Sequence, residues 1–534
     1  MSQVLSEEQL LLINNLLYLS DNPPLHEMKA GQTIGELLGS VEPTQLDPSK
    51  EYTFFTTGKE WSNIISAVKS DPQVSNLMIS QSHTDAHYGG TSFLLTSPDK
   101  SEAIVAFRGT ATAEWKDNFT GGGPTNLPDQ VSTECQKNAL DWYQSLDLDS
   151  YQNITVTGHS KGGNKSQYIA ILDNSVDRCV SFDGQGFSDE FYEKYADQIA
   201  HNKNKIVNCS AESDYVNFLL NSVGEQKYYK GHDYGSDAAF AENHAPNTMM
   251  TFDENGKPVM IPSSQSEDIE NLDKFLNSYL RAADKKENAL ALVGDLVQSI
   301  QNKGSTQDFI NILADGSHQE DVAFLLAYIF AYRDEYPEIA DSIKRVLNGL
   351  GMKDADSIID LLIDLQDNNV LDNLAQGLGQ FAQFGLVQGA AIGFINDKYG
   401  LKLTDEQYQN ICNMVVKAGD KLNSIQVSPN SGADRSLLSP AFYIDIDFVR
   451  SAAEQLAEVA DRTKTLAQEI DAVTGTLSGT LILVKPFIKL RANQINTASG
   501  NLSKYSSSLE TIIEKYSSAE SENKAALTSR IIRV

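Results

Sequence analysis

The sequence predicts an α/β fold in its first half and an all-α fold in its second half. Up to about residue 264, short apolar runs alternate with helical stretches, which is typical of a largely parallel sheet covered by helices. From about Ser264 onward, apolar residues recur at helical spacing and the strand patterns end. A polar, glycine-containing linker at 428–434 then separates these helices from a last helical stretch. We therefore expect three domains, 1–264, 265–434 and 435–534.

Composition restricts the possible partners and the route of export. The formal net charge of −30 argues against binding to nucleic acid and to anionic lipid surfaces. The first 22 residues lack the basic start and cleavage site of a signal peptide, so we expect a cytoplasmic protein or one exported by another route. The four cysteines have no metal-type spacing, and we expect no disulfide, metal or cofactor. They are Cys135, Cys179, Cys209 and Cys412.

The first elements follow from periodicity and from proline. Leucines at helical spacing predict a helix over residues 4–19, which the Asn22-Pro23-Pro24 run ends. Shorter helices are expected at 34–38 and 61–68, and strands at 77–80, 92–96 and 102–107.

Residues 154–164 carry the main functional signal. The β-branched run 154–157 predicts a buried strand, Gly158-His159-Ser160-Lys161-Gly162 matches G-x-S-x-G, and a helical pattern begins at Asn164. Strand, tight turn and helix form the context of a nucleophile elbow, in which a strained serine stands above the helix N-terminus. Ser160 is therefore the predicted nucleophile.

A nucleophile of this kind needs donors for the oxyanion that develops on the substrate. On α/β sheets with an elbow, one backbone N–H comes from a loop after an early strand, and the other from the residue after the nucleophile. The strand 103–107 runs into Arg108-Gly109-Thr110, so we predict the amides of Thr110 and Lys161 for these two roles.

The nucleophile also needs a base and an orienting acid, which follow it in the chain order serine, acid, histidine. Two later strands end at acids, 179–182 at Asp183 and 206–210 before Asp214. Of the eight histidines, His232 and His244 lie in loops after Asp214, and both stay candidates for the base. His159 is expected to point away from the Ser160 hydroxyl.

Several of these motifs resemble the class three, fungal-type lipases. The shared features are Phe107-Arg-Gly-Thr110, the following Glu114-Trp115-Lys116-Asp117 and Gly158-His-Ser-Lys-Gly-Gly163; Lys161 departs from the leucine that is usual there. The segment 181–187 resembles a related bacterial lipase-like group. The match covers roughly residues 75–255.

The resemblance implies an α/β-hydrolase that cleaves lipid esters without a cofactor, with phospholipid as the expected substrate. It implies Asp214 as the catalytic acid and His244 as the base. Asp183 is expected to be structural, with its carboxylate accepting backbone N–H groups in a glycine-rich turn. The loop 227–240 is rich in Tyr, Gly and Ala, and we expect it to be a mobile lid that includes His232. A soluble carboxylesterase is the alternative within the enzyme class.

The second half predicts helices over 267–302, 306–314, 318–348, 355–370 and 404–424. Residues 373–396 carry no charge and contain glycines at 385, 389 and 393. This run favours a close-packed helix pair, with membrane insertion as the alternative. Inserted in a membrane, it would make the protein a non-enzymatic, membrane-active toxin.

In the last hundred residues, apolar positions repeat by three and four on either side of Leu477-Ser478-Gly479, which predicts a long antiparallel helical hairpin. The Leu-x-Gly turn resembles the LXG domain of type VII secretion substrates, here placed after a lipase as in reverse-ordered type VII lipase toxins. The resemblance implies small WXG-like helical partners, an immunity protein and secretion without a signal peptide into target cells or to membranes. A dimerisation arm and a non-enzymatic scaffold remain alternatives.

Overall fold

The computed structural model describes residues 4–19, 28–53, 56–111, 114, 131–232, 242–283, 286–301, 319–349, 402–422 and 446–476, with shorter pieces within 308–312, 357–360, 425–427 and 489–510. The chain divides into two compact units, residues 1–437 and residues 438–534. Among the described residues, no helix is both long enough and apolar enough to cross a membrane. The uncharged run 373–396 and most of the predicted lid, residues 233–240, lie outside the described residues.

The strands of the first unit are β1 Glu51–Thr53, β2 Thr56–Thr57, β3 Met78–Thr84, β4 Thr91–Thr96, β5 Glu102–Phe107, β6 Asn153–His159, β7 Arg178–Phe182, β8 Ile206–Ala211, β9 Glu225–Tyr229, β10 Thr251–Phe252, β11 Pro258–Val259 and β12 Pro262–Ser263. Eight of them form one sheet in the order β12-β9-β8-β7-β6-β5-β4-β3. Strands β5 to β9 run parallel, whereas β4 and β12 are antiparallel to the strands they join. This mixed sheet confirms the predicted α/β domain.

The helices of the first unit are α1 Glu7–Leu16, α2 Ile34–Gly39, α3 Gly58–Ser70, α4 Pro72–Ser75, α5 Glu134–Gln144, α6 Lys161–Leu172, α7 Asp189–Lys194, α8 Ala196–Asn202, α9 Glu267–Ala282, α10 Lys286–Gln301, α11 Gln319–Glu335, α12 Glu338–Gly349 and α13 Asp405–Leu422. Capping boxes, in which Ser or Thr pairs with Gln or Glu three residues later, start α1, α2, α3 and α5. Each box satisfies backbone N–H groups that the first helical turn leaves without an intrahelical partner.

The sheet separates two hydrophobic cores because neighbouring side chains of a strand point to opposite faces. On β5, Ile104 and Ala106 face a core that contains α1 and α3. Ala103, Val105 and Phe107 face the other core, with residues of α5 and α6. Helix α1 is buried from Leu10 to Leu16, including Asn14 and Asn15, so this predicted first helix is an internal element of the fold.

Two predicted helices are in fact pairs. The helix expected over 318–348 is interrupted between α11 and α12 at Pro337, where the ring removes an N–H and clashes with the preceding turn. The helix expected over 267–302 ends at Ala282, because Ala283 adopts an extended backbone, and α10 begins at Lys286. Helix α13 agrees closely with the predicted 404–424, and its Thr404–Gln407 capping box is formed. The expected helices 306–314 and 355–370 lie largely outside the described residues.

The second unit contains the long helix α14, Ile446–Thr476, and helical pieces between 489 and 510. The Ser506 hydroxyl donates to the Ala453 carbonyl at 2.9 Å, and the Ser499 hydroxyl to the Ala460 carbonyl at 2.8 Å. The later residue of the second segment, Ser506, contacts the earlier residue of α14, Ala453, so the two segments run antiparallel. The turn expected at 477–479 lies outside the described residues, and the hairpin stays a prediction.

The contact face of α14 only partly matches the predicted apolar stripe. Among the stripe's positions Leu456, Thr463 and Ile470 are half-buried. The buried positions of α14 are Ala453, Ala460, Ala467 and Thr474, whereas Val459, Leu466 and Val473 are 47%, 50% and 62% exposed. Small residues let two helices approach closely, and the larger apolar residues beside the alanines are left outside the contact. We call Val459, Leu466 and Val473 the α14 stripe.

Candidate active site

The turn between β6 and α6 holds Ser160 in a strained conformation. Ser160 has φ 57° and ψ −124°, in a region that non-glycine residues rarely occupy. A Cβ atom at Gly158 would overlap the carbonyl group of Gly162, and one at Gly162 would overlap the carbonyl oxygen of Phe107. The G-x-S-x-G pattern is therefore a steric requirement of the close approach between β5, β6 and α6. Helix α6 begins directly after Ser160, three residues earlier than the sequence suggested.

Ser160, His244 and Asp214 form a hydrogen-bonded series. His244 Nε2 lies 2.9 Å from Ser160 Oγ, and His244 Nδ1 lies 2.7 Å from Asp214 Oδ1. An ionised carboxylate only accepts, so Nδ1 carries the proton and Nε2 accepts from the Ser160 hydroxyl. The second oxygen of Asp214 accepts the backbone N–H groups of Val216 and Asn217, at 3.1 and 2.7 Å. All three side chains of the series are buried.

The two alternative residues from the sequence are outside this hydrogen-bonded series, although Asp183 lies close to it. Asp183 is fully buried; its Oδ1 accepts the N–H of Ala211 at 2.9 Å, while its Oδ2 has no hydrogen-bond partner. Burial, with the nearby charge of Asp214, raises the pKa of Asp183 well above its usual value, which favours a neutral carboxyl group. His232 contacts Glu60 Oε1 through Nδ1 at 3.1 Å and the Met250 carbonyl through Nε2 at 3.0 Å. Neither of these contacts involves Ser160.

The residues on either side of Thr110 fix its turn, because the backbone N–H group of each donates to a side chain. The Gly109 N–H donates to the Tyr18 hydroxyl at 3.2 Å, and the Ala111 N–H donates to Glu114 Oε2 at 2.8 Å. Glu114 is fully buried and forms an ion pair with Lys165 of α6. A buried ion pair of this kind ties the turn to the helix that follows Ser160.

Lys161 is the first residue of α6, and its side chain is fully buried. Residues 115–117, which follow Glu114 in the sequence motif, lie outside the described residues. The structure thus places Thr110 and Lys161 at the two expected turns, one after β5 and one after β6.

His159 and Tyr18 are parts of the site that the sequence did not predict. His159 Nδ1 lies 2.7 Å from the Tyr18 hydroxyl, and His159 Nε2 lies 2.8 Å from the backbone carbonyl of His244. The expectation that His159 points away from Ser160 Oγ agrees with these contacts. Tyr18 is 141 residues away in the chain, so no local pattern signals the contact.

His159, Asp183 and His244 bring one ligand atom each to within 4.8 Å of one another, as a metal site would require. The ring nitrogens of both histidines, however, already have partners. Those of His159 contact Tyr18 and the His244 carbonyl, and those of His244 contact Asp214 and Ser160. The arrangement is therefore a hydrogen-bond network, which a metal ion would have to disrupt in order to bind.

Comparisons with known proteins give one family match and several structural matches. A family model described as Mbeg1-like matches residues 75–293, a range that contains the eight-stranded sheet, Ser160, Asp214 and His244. No curated protein matches the chain. The eight-stranded sheet, the elbow and the family model together support a lipase-like α/β-hydrolase fold for this part of the chain.

Matching solved structures include three fungal lipases. A Rhizomucor miehei lipase in complex with its propeptide is 15% identical, with a TM-score of 0.20. The match covers 33% of this chain and 66% of that lipase, just under two thirds of its length. The Lip2 lipase of Yarrowia lipolytica is 12% identical over 49% and 84% of the two chains, with a TM-score of 0.24. A triacylglycerol lipase of Penicillium expansum is 13% identical over 36% and 82%, with a TM-score of 0.22.

Proposed function

We propose that the chain is a serine hydrolase that cleaves lipid acyl esters through Ser160, His244 and Asp214. The observation that carries this proposal is the hydrogen-bonded series of these three buried side chains at a strained turn. Nucleophile, base and orienting acid in hydrogen-bond reach are the arrangement that activates a serine hydroxyl.

The reaction begins when His244 Nε2 takes the proton from Ser160 as Oγ bonds to the carbonyl carbon of the ester. The carbonyl electron pair moves to its oxygen, and the amides of Thr110 and Lys161 stabilise this oxyanion. The intermediate collapses, and the leaving alcohol takes the proton from His244. Water then attacks the acyl-enzyme while His244 takes its proton. The bond between the acyl carbon and Oγ breaks, the fatty acid leaves, and His244 returns the proton to Ser160. Asp214 stabilises the imidazolium throughout.

The test is fatty-acid release from phospholipid vesicles, wild type beside Ser160→Ala. Removing the nucleophile should lower the rate by about 10³-fold or more. A matched control is Ser166→Ala, which removes a hydroxyl from the same helix whose hydrogen bond is to the Gly162 carbonyl, 2.9 Å away. The control should keep the wild-type rate, and turnover that survives in Ser160→Ala would reject the mechanism.

Phospholipid is the proposed substrate, and the chain is proposed to act as a phospholipase A-type antibacterial toxin. The supporting features are the lipase-like motifs and the LXG-like second unit, which resemble reverse-ordered type VII lipase toxins. A soluble carboxylesterase would cleave short esters without a rate increase when the substrate passes from monomers to vesicles. That outcome would replace the lipid proposal.

A partner-binding function for the second unit is the second candidate, favoured by the α14 stripe. Three large apolar side chains, each about half exposed or more, repeat every seven residues along one helix. Such a stripe is typical of a helix that packs against further helices. Small WXG-like helical proteins are the proposed occupants, and export by the type VII route, with a cognate immunity protein, is the proposed consequence.

Replacing Val459, Leu466 and Val473 by serine should abolish co-purification with such a partner and export, because the apolar contact is removed. Ester hydrolysis should be unchanged, since these residues belong to the other unit. The matched control replaces the exposed polar residues Glu454, Asp461 and Gln468 of the same helix by alanine. Unchanged export of the stripe variant would disprove this function.

A further inference from the structure

Tyr18 lies just beyond the end of α1, and its hydroxyl reaches between two loops of the candidate active site. It is 3.2 Å from the Gly109 amide nitrogen, in the turn that carries Thr110, and 2.7 Å from His159 Nδ1. A Cβ atom at Gly109 would overlap the Tyr18 hydroxyl, so the glycine permits this close approach. The Arg108 guanidinium lies 5.0 Å above the Tyr18 ring, where a cation–π contact orients it.

The direction of every hydrogen bond in this group follows from the chemistry of its atoms. A backbone N–H only donates, so the Tyr18 oxygen accepts from Gly109. The His244 carbonyl oxygen only accepts, so His159 donates its Nε2 proton across 2.8 Å. In a neutral ring Nδ1 is then an acceptor, and it receives the Tyr18 hydroxyl proton at 2.7 Å. A neutral His159 is therefore the Nε2–H tautomer.

Burial agrees with that tautomer. The His159 side chain is buried, and this, with the proximity of His244, lowers its pKa well below 6.5. The ring stays uncharged across the neutral range, and Nδ1 keeps its lone pair for the Tyr18 hydroxyl. A protonated ring would reverse that bond.

Helix α1 contacts the same site at two further points. Asn15 Nδ2 donates to the Pro246 carbonyl, in the loop of His244, at 3.3 Å. Asn14 Nδ2 donates to Thr157 Oγ1, on the strand that leads to Ser160, at 2.9 Å. Helix α1 and Tyr18, two residues beyond its end, thus touch the turn that carries Thr110 (the oxyanion turn), strand β6 and the loop that carries His244.

We infer that Tyr18 is a positioning residue, which fixes the oxyanion turn and the backbone of His244 relative to each other through the series Gly109, Tyr18, His159, His244. This role rests on the proposed ester hydrolysis. The two loops belong to distant parts of the chain, and each must keep its place within a fraction of an ångström for the transition state.

The test replaces Tyr18 by phenylalanine, which removes the hydroxyl and keeps the ring under Arg108. On a soluble ester, kcat should fall on the order of tenfold while KM changes little, because the lost hydrogen bonds set transition-state geometry. The affinity for a trifluoromethyl ketone, which mimics the tetrahedral oxyanion, should fall by the same factor.

The matched control is Tyr229→Phe. The Tyr229 hydroxyl donates to Glu7 Oε2 at 2.8 Å, so this variant removes a hydroxyl contact from the first turn of the same helix, outside the series. If Tyr18 acted only by stabilising α1, both variants would change kcat alike. Equal effects would overturn the inference, and an effect confined to Tyr18→Phe supports it.

A second measurement does not depend on catalysis. Nitrogen-15 NMR of wild-type protein should show His159 with a protonated Nε2 and an accepting Nδ1, and Tyr18→Phe should shift the Nδ1 resonance. A protonated Nδ1 in the wild type would overturn the inference even in an active enzyme. Absence of ester hydrolysis in the wild type would instead reject the proposed function, and the tautomer alone would then decide whether the series exists.

Discussion

At the scale of single residues, backbone strain concentrates around the candidate site. Among the described non-glycine residues with positive φ are Ser160, Asp183 and Leu220, with φ of 57°, 47° and 67°. Ser160 follows β6, Asp183 follows β7, and Leu220 lies in the loop that begins at Asp214. Each such conformation costs on the order of 1–3 kcal/mol and persists where the surroundings enforce it, which is common at functional sites.

The sequence predicted the residues that chemistry requires and missed those that hold them. Ser160 was recognisable because the elbow needs glycines on either side, and the chain order then limited the acid and the base to a few residues. Tyr18 could not be found in this way, because it meets His159 through tertiary folding alone. Glu114 and Lys165 form a buried pair across 51 residues, and no spacing rule connects them.

The His232–Glu60 pair predicts how stability depends on pH. Both His232 nitrogens face acceptors, Glu60 and the Met250 carbonyl, so the protonated ring satisfies both. Burial opposes the charge, but these hydrogen bonds outweigh it and raise the pKa of His232 above 6.5. The stabilisation is therefore complete below the unfolded pKa of about 6.5 and is lost as pH rises through the folded pKa.

Replacing His232 by glutamine should lower the free energy of unfolding by about 1 kcal/mol near pH 6, with a smaller difference at higher pH. Urea unfolding of both proteins between pH 5.5 and 9 measures this. Glu60 stays ionised in that window, since its hydrogen bonds to His232 and Thr57 outweigh burial and lower its pKa. The control is His201→Gln at an exposed position, and a His232→Gln difference independent of pH would contradict the prediction.

At the scale of elements, the sequence predicted strands better than helix ends. Strand β5 has the predicted bounds, 102–107, where Glu102 precedes an unbroken apolar run that ends before Arg108. The break between α11 and α12 was visible in Pro337, although helical spacing continues across it. The break after Ala282 has no such signal, since Ala282 and Ala283 both favour helix. The position of this break is therefore set by tertiary packing and not by local sequence.

Helix α14 shows how a heptad pattern can identify a helix without identifying its contact face. The α14 stripe, which is one half of the predicted apolar positions, and the alanine positions both repeat every seven residues, one position apart. Ala453 and Ala460 lie against the second segment, with serine hydroxyls donating to their carbonyls, because alanine allows the closer approach. The size of the side chains, in addition to their hydrophobicity, determines which face of the helix makes the contact. A pattern of apolar and polar positions does not distinguish small side chains from large ones.

At the scale of the whole molecule, the loop that carries Asp214 belongs to the helical core as much as to the sheet. Tyr215, Phe218 and Leu219 lie in one hydrophobic cluster with residues of α9, α11 and α13. Asn277 of α9 donates to the Phe218 carbonyl at 2.9 Å, and Arg281 of α9 donates to Asn221 Oδ1 at 2.7 Å. The family model likewise continues past residue 264 to residue 293, through α9 and into α10.

These contacts predict the outcome of truncation. A chain ending at residue 264, the expected end of the first domain, should lose ester hydrolysis and aggregate, because it exposes Tyr215, Phe218 and Leu219 and leaves the Asp214 loop unsupported. Each large apolar side chain that loses its packing costs about 2–5 kcal/mol, and three such losses approach the whole stability of a typical domain.

A chain ending at residue 437 keeps these contacts and should retain the rate of the full-length protein, since it comprises one compact unit. Fatty-acid release and size-exclusion profiles of the two truncated chains measure both expectations. A soluble and fully active 1–264 chain would show that the helices are dispensable for the Asp214 loop.

The point substitution Phe218→Ala distinguishes support of the loop from simple loss of solubility. It should lower kcat in a protein that still elutes as a folded species, because the loop that presents Asp214 to His244 would lose a side chain that packs in the helical core.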